Sequence, residues 1–176
     1  MIVLLTRHGR TNYNELRLCN ADPTVDVFLT SEGIEQAKEL KTELIKYDVQ
    51  KIYVSDLPRT TETASYCMPD SNIPIVQDKR LSDIKTGFES KPVHEFMKYI
   101  EPDPFTFKAP GGESFQDLKV RVHSFIEFLA QACDECTLIV THMDPAKIIV
   151  GHFQQLTDLE IWNLDMPNCT LLEFRL

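Results

Sequence analysis

A chain of 176 residues with 43% hydrophobic side chains is long enough to bury a substantial core and too apolar for a largely disordered polymer. Eighteen basic residues against 27 acidic ones leave a formal charge of −9, which argues against a nucleic-acid partner, for which a basic face is expected. The same charge repels anionic ligands, so an anion site here has to be small, deep and lined with local cations.

The first apolar run, Ile2-Val3-Leu4-Leu5-Thr6, reads as a buried strand and stops on Arg7-His8-Gly9. Leu29-Thr30-Ser31-Glu32-Gly33 opens a helix, with Thr30 as N-cap and Glu32 in the first turn, where the helix dipole favours negative charge. Ile34, Ala37, Leu40 and Leu44 then share one face. Lys51-Ile52-Tyr53-Val54 is a short buried strand, followed by a turn at Ser55-Asp56-Leu57-Pro58 and a helix to about Cys67. Another strand is predicted from Ile73 to Val76. Between Asp78 and Pro110 the pattern weakens: Val93 to Ile100 is helical, and Pro102, Pro104 and Pro110 punctuate the rest.

After Pro110-Gly111-Gly112, Ser114 and Asp117 form a capping-box-like pair ahead of a long helix lined by Leu118, Val122, Phe125 and Leu129. A second central strand, Thr137-Leu138-Ile139-Val140-Thr141, stops on His142. Asp144 and Pro145 suit the N-cap and N1 positions of a helix to about Phe153. In the tail, Leu172, Phe174 and Leu176 alternate with Glu173 and Arg175, as in a strand with one solvated face. Strands alternating with helices predict a three-layer α/β/α sandwich around a mostly parallel sheet. With no repeat, low-complexity tract or linker, residues 1–176 read as a single domain.

No apolar run approaches membrane-spanning length, and Met1 leads straight into a strand without the features of a secretory leader. The five cysteines (Cys19, Cys67, Cys133, Cys136 and Cys169) are odd in number and unevenly spaced, which predicts a cytoplasmic protein with free thiols and no membrane partner. Cys133-Asp-Glu-Cys136 is a lone CxxC; a zinc site would want a second pair, so no metal is expected.

Two strands that each deliver a histidine at their carboxyl end can meet in one crevice, where open α/β sheets bind ligands. A lone histidine at a strand end is more often structural; here Arg7, Gly9 and the partner His142 turn the reading of His8 toward catalysis. A neutral imidazole nitrogen is a competent nucleophile for phosphoryl transfer, and charge stabilisation supplies most of the rest. Arg7 offers a planar fork to phosphoryl oxygens. Gly9 lets the backbone turn and lets its neighbours approach a ligand. Asn14 could add a neutral donor, Arg59 lies in the first turn of a helix whose N-terminus favours anions, and His142 could donate to the phosphoryl group. His94, His123 and His152 lack such neighbours and read as surface or boundary residues. Glu113 could orient a catalytic residue, but the preferred reading is a favourable charge at a helix start; Ser114 reads as a cap.

Arg7-His8-Gly9-Arg10-Thr11-Asn12-Tyr13-Asn14, Leu29 to Ala37, Val54 to Ala64, Asp78 to Ile84, Gly111-Gly112-Glu113-Ser114 and Ile139-Val140-Thr141-His142 follow one another along the whole chain. In that order they resemble the phosphoglycerate-mutase-like histidine phosphatases, nearest to the small broad-specificity and alpha-ribazole phosphatase types. The resemblance implies a metal-independent, cofactor-free enzyme in which His8 is transiently phosphorylated within a pocket of Arg7, Asn14, Arg59 and His142. It puts the general acid at Asp83, where most relatives carry glutamate, with Glu89 as the alternative. An aspartate has an ordinary pKa of about 3.9, so only about 0.1% is protonated at pH 7 unless burial or the incoming phosphate raises it.

Arg10 stands where relatives have an acidic residue and is expected to add positive potential at the pocket mouth. Met143 replaces a small residue; its bulk narrows the site while its backbone N–H stays available. Arg17 to Phe28 match the family poorly, and Asn20 is the one substrate contact expected there. Together these features predict a phosphatase acting on a small phosphorylated metabolite by a two-step route. Mutase chemistry and dephosphorylation of protein phosphohistidine are the alternatives among enzymes, and alpha-ribazole phosphate is one candidate substrate. A non-catalytic phosphate-binding module, motivated by Arg10, Asp83 and Met143, is the reading from a different class.

Overall fold

A computed structural model of the chain describes residues 1–69, 72–132 and 134–176. Cys133, one half of the CxxC, lies outside the described residues.

The sheet is built from β1 (Ile2–Arg7), β2 (Lys51–Val54), β3 (Ile75–Gln77), β4 (Cys136–Thr141) and β5 (Leu172–Arg175), in the order β3-β2-β4-β1-β5. All neighbours pair in parallel except β5, which runs antiparallel along β1 at one edge. Because side chains alternate along a strand, each central strand feeds two cores. Val3, Leu5, Tyr53 and Ile139 point to one face; Leu4, Ile52, Val54, Leu138 and Val140 point to the other.

The first core is closed by α5 (Phe115–Leu129) and α6 (Met143–Gln154), the second by α2 (Ser31–Leu44) and α3 (Pro58–Cys67). This is the three-layer sandwich that the alternation of elements implied. Helix α2 buries Ala37, Leu40 and Leu44 but leaves Ile34 half-buried, and Gly33 takes the remaining place on the buried face. Thr30 caps α2 through Gly33 N–H, and Ser114 with Asp117 closes a capping box on α5.

Three boundaries differ from the sequence expectation. Strand β3 begins at Ile75 rather than Ile73: Pro74 has no N–H to give the ladder, and its carbonyl accepts from Ile52 N at 3.0 Å. Helix α6 begins at Met143, with extended His142 as its N-cap instead of Asp144. Strand β4 runs directly into it, which moves Pro145 to a first-turn position where no intrahelical N–H is needed. Leu176 falls beyond β5 and is exposed. Two five-residue helices, α1 (Asn12–Leu16) and α7 (Asp158–Trp162), were too short to show a period; each starts with a capping box, Thr11 with Asn14 and Thr157 with Glu160. The remaining helix, α4 (Val93–Ile100), has the predicted limits.

Candidate active site

The register of β1 on β4 sets Arg7 opposite Thr141, so the next residues, His8 and His142, leave the sheet side by side. His8 N–H donates to the Thr141 carbonyl at 2.9 Å, and the two imidazole centroids are 5.1 Å apart. Both rings are buried. Gly9 follows with a different role from the one expected. Its backbone is not left-handed; a Cβ there would sit 2.5 Å from the Gly33 carbonyl oxygen, and one on Gly33 would run into the backbone of Arg10. The glycine pair lets the first turn of α2 lie directly against the His8 segment.

The tautomer of His8 follows from its neighbours. Nδ1 lies 2.7 Å from the Gly9 carbonyl oxygen, which can only accept, so Nδ1 carries the proton. Nε2 is left with its lone pair, and Arg59 Nε–H donates to it at 3.2 Å. Burial, then the charges of Arg59 and Arg7, hold this imidazole well below its ordinary value, so the ring is neutral at pH 7. His142 is held down by burial and by Arg59, His8, Arg7 and Arg121.

Arg59 enters from the first turn of α3, with only 3% of its surface exposed. Its Nη2 donates to the Asn20 carbonyl at 3.0 Å and to Asp83 Oδ2 at 3.1 Å. Arg7 Nη1 donates to the Met166 carbonyl at 2.8 Å. Asp83 Oδ2 also stands 3.8 Å from His142 Nδ1, so this carboxylate lies between Arg59 and His142. Burial raises the Asp83 carboxyl above its ordinary value despite the opposing pull of Arg59 and Arg7.

Arg7, His8, Asn14, Asn20, Arg59, Asp83 and Met143 line one cleft at the carboxyl end of the strands, with Thr11, Tyr13, Leu18 and Val27. His142 adjoins it beneath Asp83. Asn14 spends its side-chain oxygen on Thr11 N–H, leaving its NH2 group for a ligand. Asn20 spends its own on Asp22 N–H. Helices α3 and α6 have no side-chain cap, so their first amides add positive potential at this end of the sheet.

Two expected contributors lie elsewhere. Glu89 accepts from Ala21 N–H at 2.6 Å and supports the Asn20 loop. Arg10 pairs with Glu32 at 3.0 Å and Glu15 at 3.8 Å, which neutralise the charge expected at the mouth.

The groups that hold the site were not singled out from the sequence. Thr63 Oγ1 accepts from Gly9 N–H at 3.0 Å and donates to the Arg59 carbonyl at 2.7 Å, joining the His8 segment to Arg59. Asn168 Nδ2 donates to the His8 carbonyl at 2.7 Å, and Cys169 N–H to the Arg7 carbonyl at 3.0 Å. Arg121 donates to the carbonyls of Lys79, Arg80, Ser82 and Asp83 while forming a two-point pair with Glu113, so Glu113 is more than a helix-start charge. Ser55 lies 2.8 Å from His142 Nε2. Ser55 and Thr63 fall inside a segment already quoted for Arg59; nothing local marks Asn168 or Arg121.

The family described as the histidine phosphatase superfamily (branch 1) matches residues 3–176. A 2,3-bisphosphoglycerate-dependent phosphoglycerate mutase of Thermoplasma acidophilum is 26% identical over 97% of this chain and 84% of its own length. Phosphoserine phosphatase 1 of Hydrogenobacter thermophilus is 24% identical over 96% of this chain and 83% of its own. Among solved structures, the alpha-ribazole phosphatase from Shigella flexneri superposes with a TM-score of 0.86 at 24% identity, covering 98% of this chain and 89% of that one, a likeness of fold.

Proposed function

This chain belongs to the histidine phosphatase superfamily, and on that footing we propose that it hydrolyses small phosphomonoesters by way of a phosphohistidine on Nε2 of His8. One observation carries the reading. Among the described residues, Arg7 Nε, Arg59 Nη1 and His142 Nδ1 are buried with no protein partner. A buried, unpaired polar group costs about 1–3 kcal/mol, and these three belong to side chains that adjoin His8, whose Nε2 lone pair accepts from Arg59 Nε–H. An incoming phosphoryl group satisfies them together.

In this scheme His8 Nε2 attacks phosphorus as the bond to the leaving oxygen breaks. Asp83 gives that oxygen its proton. Arg7, Arg59 and His142 hold the equatorial oxygens, where negative charge accumulates. Water then attacks the phosphohistidine, Asp83 takes its proton, and the imidazole leaves neutral. Arriving phosphate displaces the Asp83 carboxylate from Arg59, and its negative charge favours the protonated acid. Phosphoserine-like and alpha-ribazole-like monoesters are candidate substrates, as the names of the relatives suggest.

Turnover of p-nitrophenyl phosphate by wild type and His8→Ala, each with excess EDTA, tests the proposal. Wild type should keep its activity in EDTA, and His8→Ala should lose at least about 10³-fold. Equal rates for the two proteins would refute it. Because one relative is named a mutase, 3-phosphoglycerate serves as a second substrate: phosphate release supports hydrolysis, whereas isomerisation without release supports transfer to another hydroxyl.

A further inference from the structure

The two active-site imidazoles do opposite work, and the structure differs at the nitrogen each turns away from the cleft. His8 leans on a carbonyl, an obligate acceptor. His142 leans on a hydroxyl, Ser55 Oγ, which can donate. Ser55, Thr60 and His142 are all fully buried, so each proton in this cluster has few destinations.

Thr60 Oγ1 is 2.9 Å from the Leu57 carbonyl and 3.3 Å from the Ser55 carbonyl. Neither carries a proton, so Thr60 gives its own away and its oxygen is left as an acceptor. Ser55 Oγ accepts from Leu57 N–H at 3.1 Å. Its single proton then goes either to Thr60 Oγ1, 3.0 Å away, or to His142 Nε2, 2.8 Å away.

The opposite edge of the His142 ring decides between them. Nδ1 is buried, has no protein hydrogen-bond partner and faces Asp83 Oδ2 at 3.8 Å. A lone pair there would oppose a carboxylate and, in the loaded site, phosphoryl oxygens; an N–H would satisfy both. A ring protonated at both nitrogens is disfavoured by burial and by Arg59, His8, Arg7 and Arg121. The remaining arrangement puts one proton on Nδ1 and a lone pair on Nε2, which requires a donor behind it.

We propose that Ser55 is a positioning residue whose hydroxyl donates to His142 Nε2 and so holds that ring in the tautomer that presents Nδ1–H to the phosphoryl group. The catalytic consequence rests on the phosphatase reading above; the tautomer itself does not. Both rings then carry their proton on Nδ1, yet His8 shows the cleft its lone pair and His142 shows it a donor.

Nitrogen NMR on 15N-histidine-labelled wild type, free and with orthovanadate, tests this directly, with the His142 signals assigned by their loss in His142→Gln. The expected spectrum has a pyrrole-type Nδ1 and a pyridine-type, hydrogen-bonded Nε2 for His142 in both states. The reverse assignment, or two pyrrole-type nitrogens, overturns the proposal. In Ser55→Ala, shown to be folded by its melt, the Nε2 signal should shift and kcat on p-nitrophenyl phosphate should fall about 10–100-fold. A folded variant with kcat within about twofold of wild type overturns it too. The free-protein spectrum needs no turnover, so a correct tautomer in an inactive protein would refute the phosphatase reading alone.

Discussion

Asp83 and Asp144 bring two carboxyl groups with raised pKa values close to the same cleft. Burial raises Asp83; Asp144, with 32% of its side chain exposed, is pushed up to about 6 by burial and by the Asp83 charge. As a general acid Asp83 works protonated, so turnover of alkyl phosphates should decline as pH rises through its raised pKa. Asp83→Asn should slow an alkyl phosphate about 10²–10³-fold but p-nitrophenyl phosphate, whose leaving group needs little protonation, less than about tenfold; paired kcat measurements check this. For stability the sign is set by Asp144. A carboxyl with a folded pKa above its unfolded value binds protons more tightly when folded, so its contribution is present below about pH 4 and lost as pH rises through about 6. Asp144→Asn should therefore flatten stability across that window and raise it at pH 7 by about 1 kcal/mol or less after screening, read as a Tm increase of a few degrees in melts against pH. His8, His142 and Arg59 were legible in the sequence because each ends an apolar run or starts the helix after one. Ser55, Thr63 and Asn168 were not, because their partners lie 87, 54 and 160 positions away and only the fold makes them neighbours.

Helix packing positions the chemistry as directly as side-chain bonding does. The first turn of α2 touches the His8 segment through Gly33 and Gly9, where no Cβ fits. Gly33→Ala should force the two apart at about 2 kcal/mol, lowering Tm by about 4–8 °C in a thermal melt. Helix α5 acts at longer reach: Arg121 pins the segment from Lys79 to Asp83, the proposed general acid, and Glu113 holds Arg121. Arg121→Met, which keeps the stem and loses the fork, should lower kcat on alkyl phosphates more than on p-nitrophenyl phosphate, because the loosened group is the acid. Elements with a long apolar period were legible, α2 and α5 foremost. The start of α6 is not legible because Asp144 and Pro145 look like a cap and a first residue, while the chain enters the helix two residues earlier, from the strand.

At the scale of the molecule, a net charge of −9 is compatible with the proposed anion site because half-buried Arg7 and buried Arg59 sit at the sheet's carboxyl ends, where local charge outweighs the distant field. The described cysteines, Cys19, Cys67, Cys136 and Cys169, are free and buried. Burial pushes the thiols of Cys19, Cys67 and Cys169 up to about 11, 12 and 12. Alkylation followed by mass spectrometry should leave these four positions unlabelled in the native state and label them after denaturation. The layered architecture was legible from alternation alone; the antiparallel placing of β5 was not, since its alternating pattern fixes a solvated face but no direction.

The segment of Met166, Asn168 and Cys169 grips the backbone and guanidinium of Arg7 and the carbonyl of His8, about 160 positions upstream. During synthesis His8 leaves the ribosome while the segment that braces it is still untranslated. Nascent chains arrested before residue 166 should therefore fail to bind vanadate, however much of the sheet has formed, and gain that ability once residue 169 is free. Competence for chemistry would arrive with this segment, not with the strand that carries His8.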